Sequence, residues 1–316
     1  MRGTCSGARM KNSLALGPFL PAIALLLLLT GGLGSFAPRA CTDAIKTIAK
    51  PEPLPISTGI DQHFKISVGP PAAELAVWTL EPKAGTPVRG TVLFLHGFMA
   101  THRQLQNAGE ALREAGYRAV LVDLRGFGES TGDHITFGVL DSADLRQLTD
   151  ALQARKLCGN TLGVYGTSYG AASAILYAAA DPRVSTLIAV APFANIRDEV
   201  PIFSRHALGS LADVLTDSAL MKVAGAVSSV TGMDLDHARP IDAIQRLHAH
   251  LLLIHGDKDT IVPEKASEEL HAADPASNLL VIPGQGHLDL CFDIPGMLQK
   301  PTREWFDHYL GAALPR

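Results

Sequence analysis

The chain has 316 residues, 47% of them hydrophobic and 18% charged, with a formal net charge of −4. That balance supports a large buried core and excludes extensive disorder. It carries no basic footprint, which argues against nucleic acid as a partner.

Arg2, Arg9 and Lys11 precede a charge-free run over residues 12–38, apolar without interruption at 22–29 and followed by Gly31, Gly32 and Gly34. A basic start, a short apolar centre and a small-residue exit read as a signal peptide, with a membrane anchor as the rival, over residues 1–40. The body of the chain is therefore expected to be exported, periplasmic or secreted. Membrane association would run through this segment or through lipidation of Cys41. Residues 41–60, with Pro51, Pro53 and Pro55, read as an extended linker. One folded domain is expected over 61–313.

Two antiparallel strands are expected around 64–68 and 75–80. Strand and helix then alternate: a strand at 91–95, a helix at 104–115, a strand at 119–123, a helix at 140–157. A strand at 161–165 leads into an alanine-rich helix at 170–180, and another strand follows at 186–191. The segment at about 192–240 breaks this rhythm and carries helical patches at 203–215 and 220–227, which reads as a lid insertion. Strands at 251–255 and 279–282 then alternate with helices at 264–273 and 300–310. Uninterrupted apolar strands alternating with helices predict an α/β fold, a mostly parallel doubly wound sheet.

The chemistry begins at Gly166-Thr167-Ser168-Tyr169-Gly170, between a strand and a helix. That setting is a candidate nucleophile elbow, with Ser168 raised on a tight turn. A serine hydroxyl needs a base and an orienting carboxylate. Reactive groups of open parallel sheets gather beyond the carboxyl ends of the strands. His287 follows the last strand in Pro283-Gly284-Gln285-Gly286-His287, and Asp259 follows the preceding strand, with Asp257 and Asp198 as competitors for the acid. The order Ser, Asp, His fits this class. The oxyanion donors are expected to be the backbone N–H groups of Tyr169 and of Phe98, the latter after the strand at 91–95. His96 is expected to be a structural hydrogen-bonding residue.

Outside the leader, Cys41, Cys158 and Cys291 make an odd count. A Cys158–Cys291 disulfide is permitted but not required, and none of the three has zinc-site spacing.

Together with Asp123-Leu124-Arg125-Gly126-Phe127-Gly128-Glu129-Ser130 and His96-Gly97-Phe98, these motifs run in family order over residues 91–290. The chain resembles the α/β-hydrolase fold family, in its serine aminopeptidase and monoacylglycerol-lipase-like branch. The resemblance implies that Asp123–Ser130 is a structural turn framing the pocket. Taken together, the residues lead us to expect a serine hydrolase cleaving a carboxylic ester, with a small-molecule ester or acyl substrate and neither cofactor nor metal. Alternatives are an aminopeptidase or acyltransferase of the same fold, or a catalytically silent binding protein.

Overall fold

The computed structural model describes residues 59–132, 135–208, 216–219, 221–222, 225, 236–293 and 296–310. The leader, Cys41, nearly all of the linker and much of the expected lid lie outside the described residues. Among the described residues, no helix is long and apolar enough to cross a membrane.

Eight strands form one sheet: β1 Gln62–Val68, β2 Ala73–Leu80, β3 Thr91–Leu95, β4 Arg118–Val122, β5 Leu162–Thr167, β6 Val184–Val190, β7 His250–Gly256 and β8 Asn278–Ile282. Their order is β1-β2-β4-β3-β5-β6-β7-β8. β1 pairs with β2, and β2 with β4, in antiparallel fashion; all other pairs are parallel. β1 alternates exposed and buried positions as an edge strand should, whereas every residue of β3 is buried.

Besides a single turn at Pro240–Ala243, the helices among the described residues are α1 Gln106–Glu114, α2 Val139–Ala154, α3 Tyr169–Ala180, α4 Ile196–Leu208, α5 Lys265–Ala273, α6 His287–Phe292 and α7 Gln299–Tyr309. Alternate residues of each strand enter two separate cores. Leu93, Leu95 and Val120 pack with Leu145 and Leu148 of α2 and Ile175 of α3. Val92, Phe94 and Leu121 pack with Leu112 of α1 and Phe306 of α7. The sheet is thus covered on both faces, which is why its central strands carry no polar alternation.

Three elements depart from the sequence reading. The expected helix at 104–115 opens with a 3-10 turn, His102–Leu105, before α1. α4 starts at Ile196, ahead of the patch expected at 203. The Asn195 side chain accepts the Arg197 N–H at 3.1 Å and donates to Asp198 at 3.0 Å, while Pro201 inside the helix hides its pattern. α6 lies where only a loop was expected. Its six residues are too few to show a period, and Asp289 reaches back to accept the Gly286 N–H at 2.8 Å.

One polar feature crosses the first core. Arg125, in the turn after β4, makes a two-pronged bond to Asp144 of α2, at 2.7 and 2.8 Å, and also donates to the Pro71 carbonyl at 2.9 Å. Both charged side chains are almost fully buried. Replacing Asp144 with alanine is therefore expected to cost about 3–5 kcal/mol, because a guanidinium is left buried without its partner. Denaturant titration should show the midpoint falling at an unchanged slope; a loss below about 1 kcal/mol would contradict this account.

Candidate active site

Ser168 sits between the last residue of β5 and the first of α3, with φ 52° and ψ −115°. A non-glycine residue rarely adopts this conformation, and it persists only where the surroundings hold it. The Ser168 N–H donates to the Val190 carbonyl at 2.8 Å, and its own carbonyl accepts from Ala171 and Ala172 at 3.0 and 3.1 Å. The flanking glycines have steric causes. A Cβ on Gly166 would lie 2.4 Å from the Gly170 carbonyl oxygen, and one on Gly170 would lie 2.1 Å from that of Leu95. The turn closes only if both are bare.

The loops after β7 and β8 bring two more groups to this turn. His287 Nε2 lies 2.9 Å from Ser168 Oγ, and its Nδ1 lies 2.6 Å from Asp259 Oδ2. Since a carboxylate only accepts, Nδ1 carries the proton and Nε2 is left to accept from the serine hydroxyl. The other Asp259 oxygen accepts the N–H groups of Ile261 and Val262, both at 2.9 Å. His255, at the end of β7, donates from Nε2 to the Val262 carbonyl at 2.9 Å and accepts the Ser267 hydroxyl at 2.6 Å. It also lies 3.3 Å from Asp259. His255 therefore braces the acid's loop.

The competing carboxylates are engaged elsewhere. Asp257 accepts the Gly284 N–H at 2.6 Å, tying the two loops together, and Asp198 takes the Asn195 amide. His96 is fully buried, donates to the Gly97 carbonyl at 2.8 Å and accepts the Leu124 N–H at 3.0 Å. Asp123 accepts N–H groups of His102 and Glu129 at 2.7 and 2.8 Å, closing the turn after β4. Cys158 and Cys291 are both free thiols.

Tyr169 follows the serine directly, and Phe98 follows Gly97, where an added Cβ would lie 3.5 Å from Ser168 Cβ. Tyr169 is the first residue of α3, so its N–H is among those without an acceptor inside the helix. Its ring is buried, and its hydroxyl donates to Asp141 at 2.8 Å, which leaves the backbone at the site. Phe98 lies in the loop after β3, its ring packed against Phe127, Phe137 and Tyr169. Gln104 was not foreseen as a site residue. Its side-chain oxygen accepts the Gly97 N–H at 2.7 Å and the Thr167 hydroxyl at 3.3 Å, fixing this loop beside the serine. No motif marks it, because Thr167 is 63 positions away and the bond to Gly97 forms only when the loop folds back.

The electrostatics follow from burial and pairing. Burial works against the Asp259 carboxylate, but bonds from His255 and His287 outweigh it and hold its pKa well below the ordinary range. Burial alone would lower the His287 pKa; the Cys291 sulfur one turn along α6 and the Asp259 carboxylate outweigh it and leave the pKa raised. Glu199 of α4 is also buried here. Burial, then the neighbouring Asp198 and Asp259, push its carboxyl up to about 7. A hydroxyl bonded to an imidazole that is oriented by a carboxylate is an arrangement able to deliver an oxygen nucleophile once that imidazole is neutral.

Such a sheet, with a serine on its strand-to-helix turn, defines an α/β-hydrolase. Residues 86–239, just under half of the chain, match the serine aminopeptidase S33 family, so the chain is similar to that family. An uncharacterised protein of Mycobacterium tuberculosis is 30% identical over 205 residues, covering 63% of each chain. A Bacillus subtilis protein, also uncharacterised, is 22% identical over 200 residues, 62% of this chain and 64% of that one. The matches thus span a little under two thirds of these relatives. A rat protein described as a putative protein-lysine deacylase is 29% identical over 227 residues, 71% of this chain and 83% of its own. Among solved structures, an esterase of Pyrococcus furiosus superposes with a TM-score of 0.65 at 18% identity, over 83% of this chain and 97% of that one.

Proposed function

We propose that this protein is a serine hydrolase that cleaves a carboxylic ester through an acyl-enzyme intermediate. The observation that carries the reading is the continuous hydrogen-bonded path from Ser168 Oγ through His287 to Asp259, at 2.9 and 2.6 Å. Ser168 attacks the ester carbonyl carbon while His287 Nε2 takes its proton. Asp259 holds the tautomer and balances the imidazolium. The N–H groups of Phe98 and Tyr169 receive the developing oxyanion. Collapse of the tetrahedral intermediate expels the alkoxide, which takes the proton back from His287 and leaves as the alcohol. Water, deprotonated by the same imidazole, then releases the acid and restores the serine.

Esters are favoured over peptides because, among the described residues, α4 offers just the Asp198 and Glu199 carboxyls for a substrate amine, and Asp198 is already bonded to Asn195. The test is a panel of aryl esters of graded acyl length, run beside aminoacyl anilides and an acyl-lysine peptide. Turnover of the anilides alone would overturn the ester assignment.

The pH dependence has a definite sign. His287 acts as a base only when neutral, and its neighbours raise its pKa above the ordinary imidazole value of 6.5. The rate kcat/KM should therefore climb with pH through an apparent pKa above about 6.5. A flat profile extending below about pH 5 would remove His287 from this role.

A further inference from the structure

Glu199 is a buried titratable group near the site for which the mechanism above has no use. It lies in the first turn of α4 and is 7% exposed, and among the described residues its Oε2 has no hydrogen-bond partner. A buried, unpartnered carboxyl oxygen is costly to keep, and such costs gather at functional sites. Four charged or titratable groups act on it. Asp198 comes from its own helix, Asp259 and His287 from the loops after β7 and β8, and Glu269 from α5. Asp198 is bonded to Asn195, Glu269 is paired with Lys265 at 3.1 Å, and Asp259 is saturated by two amides and an imidazole. Of the four, only His287 can become positive.

We propose that Glu199 is a positioning residue for the reaction, acting through His287: as a carboxylate it stabilises the imidazolium formed when Ser168 gives up its proton. This rests on the serine hydrolase reading given above. The step leaves covalent bookkeeping unchanged, since the proton moves from Ser168 Oγ to His287 Nε2 and Glu199 exchanges none. Its effect is differential. Before the reaction, while the ring is neutral, Glu199 meets the negative charge of Asp259, which opposes its ionisation. Once the ring is positive, the same carboxylate is stabilised. Because burial and its acidic neighbours push Glu199 up to about 7, its charged fraction grows across the neutral range, and the rate should grow with it.

The experiment is a kcat–pH profile on a short-chain aryl ester for wild type, Glu199→Gln, Glu199→Asp and Ser168→Ala. The wild-type rate is expected to rise through two ionisations. Glu199→Gln should rise through one and reach a plateau lower by on the order of tenfold, with KM changed less than about twofold. Glu199→Asp, which keeps the charge, should recover part of the second rise. Thermal midpoints supply a second readout. A carboxyl raised from 4.5 to about 7 on folding costs stability increasingly as pH climbs through that window, so Glu199→Gln should gain on wild type there.

A Glu199→Gln profile that superimposes on wild type, or lies parallel below it at every pH, overturns the proposal, as does a change confined to KM. If Ser168→Ala is inactive while this happens, only the Glu199 proposal has failed. Turnover surviving in Ser168→Ala would instead remove the reading beneath it.

Discussion

Ser168→Ala is expected to lose roughly 10⁴- to 10⁶-fold in kcat on an ester substrate and to fold as wild type does. The loss is large because removing the nucleophile leaves only substrate binding and the oxyanion donors to accelerate attack by water. Folding should survive because the constraints on this turn are backbone ones. The Ser168 N–H is held by Val190, its carbonyl by Ala171 and Ala172, and the two glycines by close backbone approach. The hydroxyl makes one contact of note, at 2.9 Å with His287. A fluorophosphonate probe should label the wild type at Ser168 and leave the variant unlabelled. Ester turnover within about tenfold of wild type would mean that another group attacks.

Asp259→Asn is expected to cost about 10⁴-fold in kcat with little change in fold. The amide oxygen can keep the Ile261 and Val262 N–H bonds, but its NH₂ faces His287 Nδ1 at the 2.6 Å contact. An imidazole that must accept at Nδ1 carries its proton on Nε2, where it can no longer receive one from Ser168. The same substitution alters acid stability with a sign that can be checked. A carboxyl whose pKa is depressed on folding adds stability that is fully present above its ordinary value of 3.8 and is lost as pH falls through the folded value. Wild type should lose that increment on acidification; Asp259→Asn, lacking it, should be less stable near neutrality and less sensitive to acid. Retention of kcat within about tenfold would show that Asp259 does not set the tautomer.

How far the site could be read in advance differs from residue to residue. Ser168 announces itself because its neighbours are constrained locally. A strand must end, a helix must begin, and the backbone between them must pass under Leu95 and Gly170 without side chains, so the glycines are written into five consecutive positions. His287 and Asp259 were legible only as loop residues at successive strand ends. Nothing local distinguishes Asp259 from Asp257, two positions earlier. What separates them is that Asp259 bonds His287, whereas Asp257 turns to the Gly284 N–H. Gln104 and the role of His255 were not legible, since each depends on partners brought in by packing.

The alternation of apolar strands with helices was enough to determine the α/β layering, the positions of the strands and the order in which the reactive groups arrive. Those properties follow from short-range periodicity and burial, which any stretch of ten residues carries within itself. The tertiary structure alone decided the place of β1 and β2 in the order of the sheet and the pairing of imidazole with hydroxyl. It also brought Glu199 within electrostatic reach of the imidazole. Each of these depends on contacts between residues tens to more than a hundred positions apart, and their free energy appears only when the chain has closed on itself.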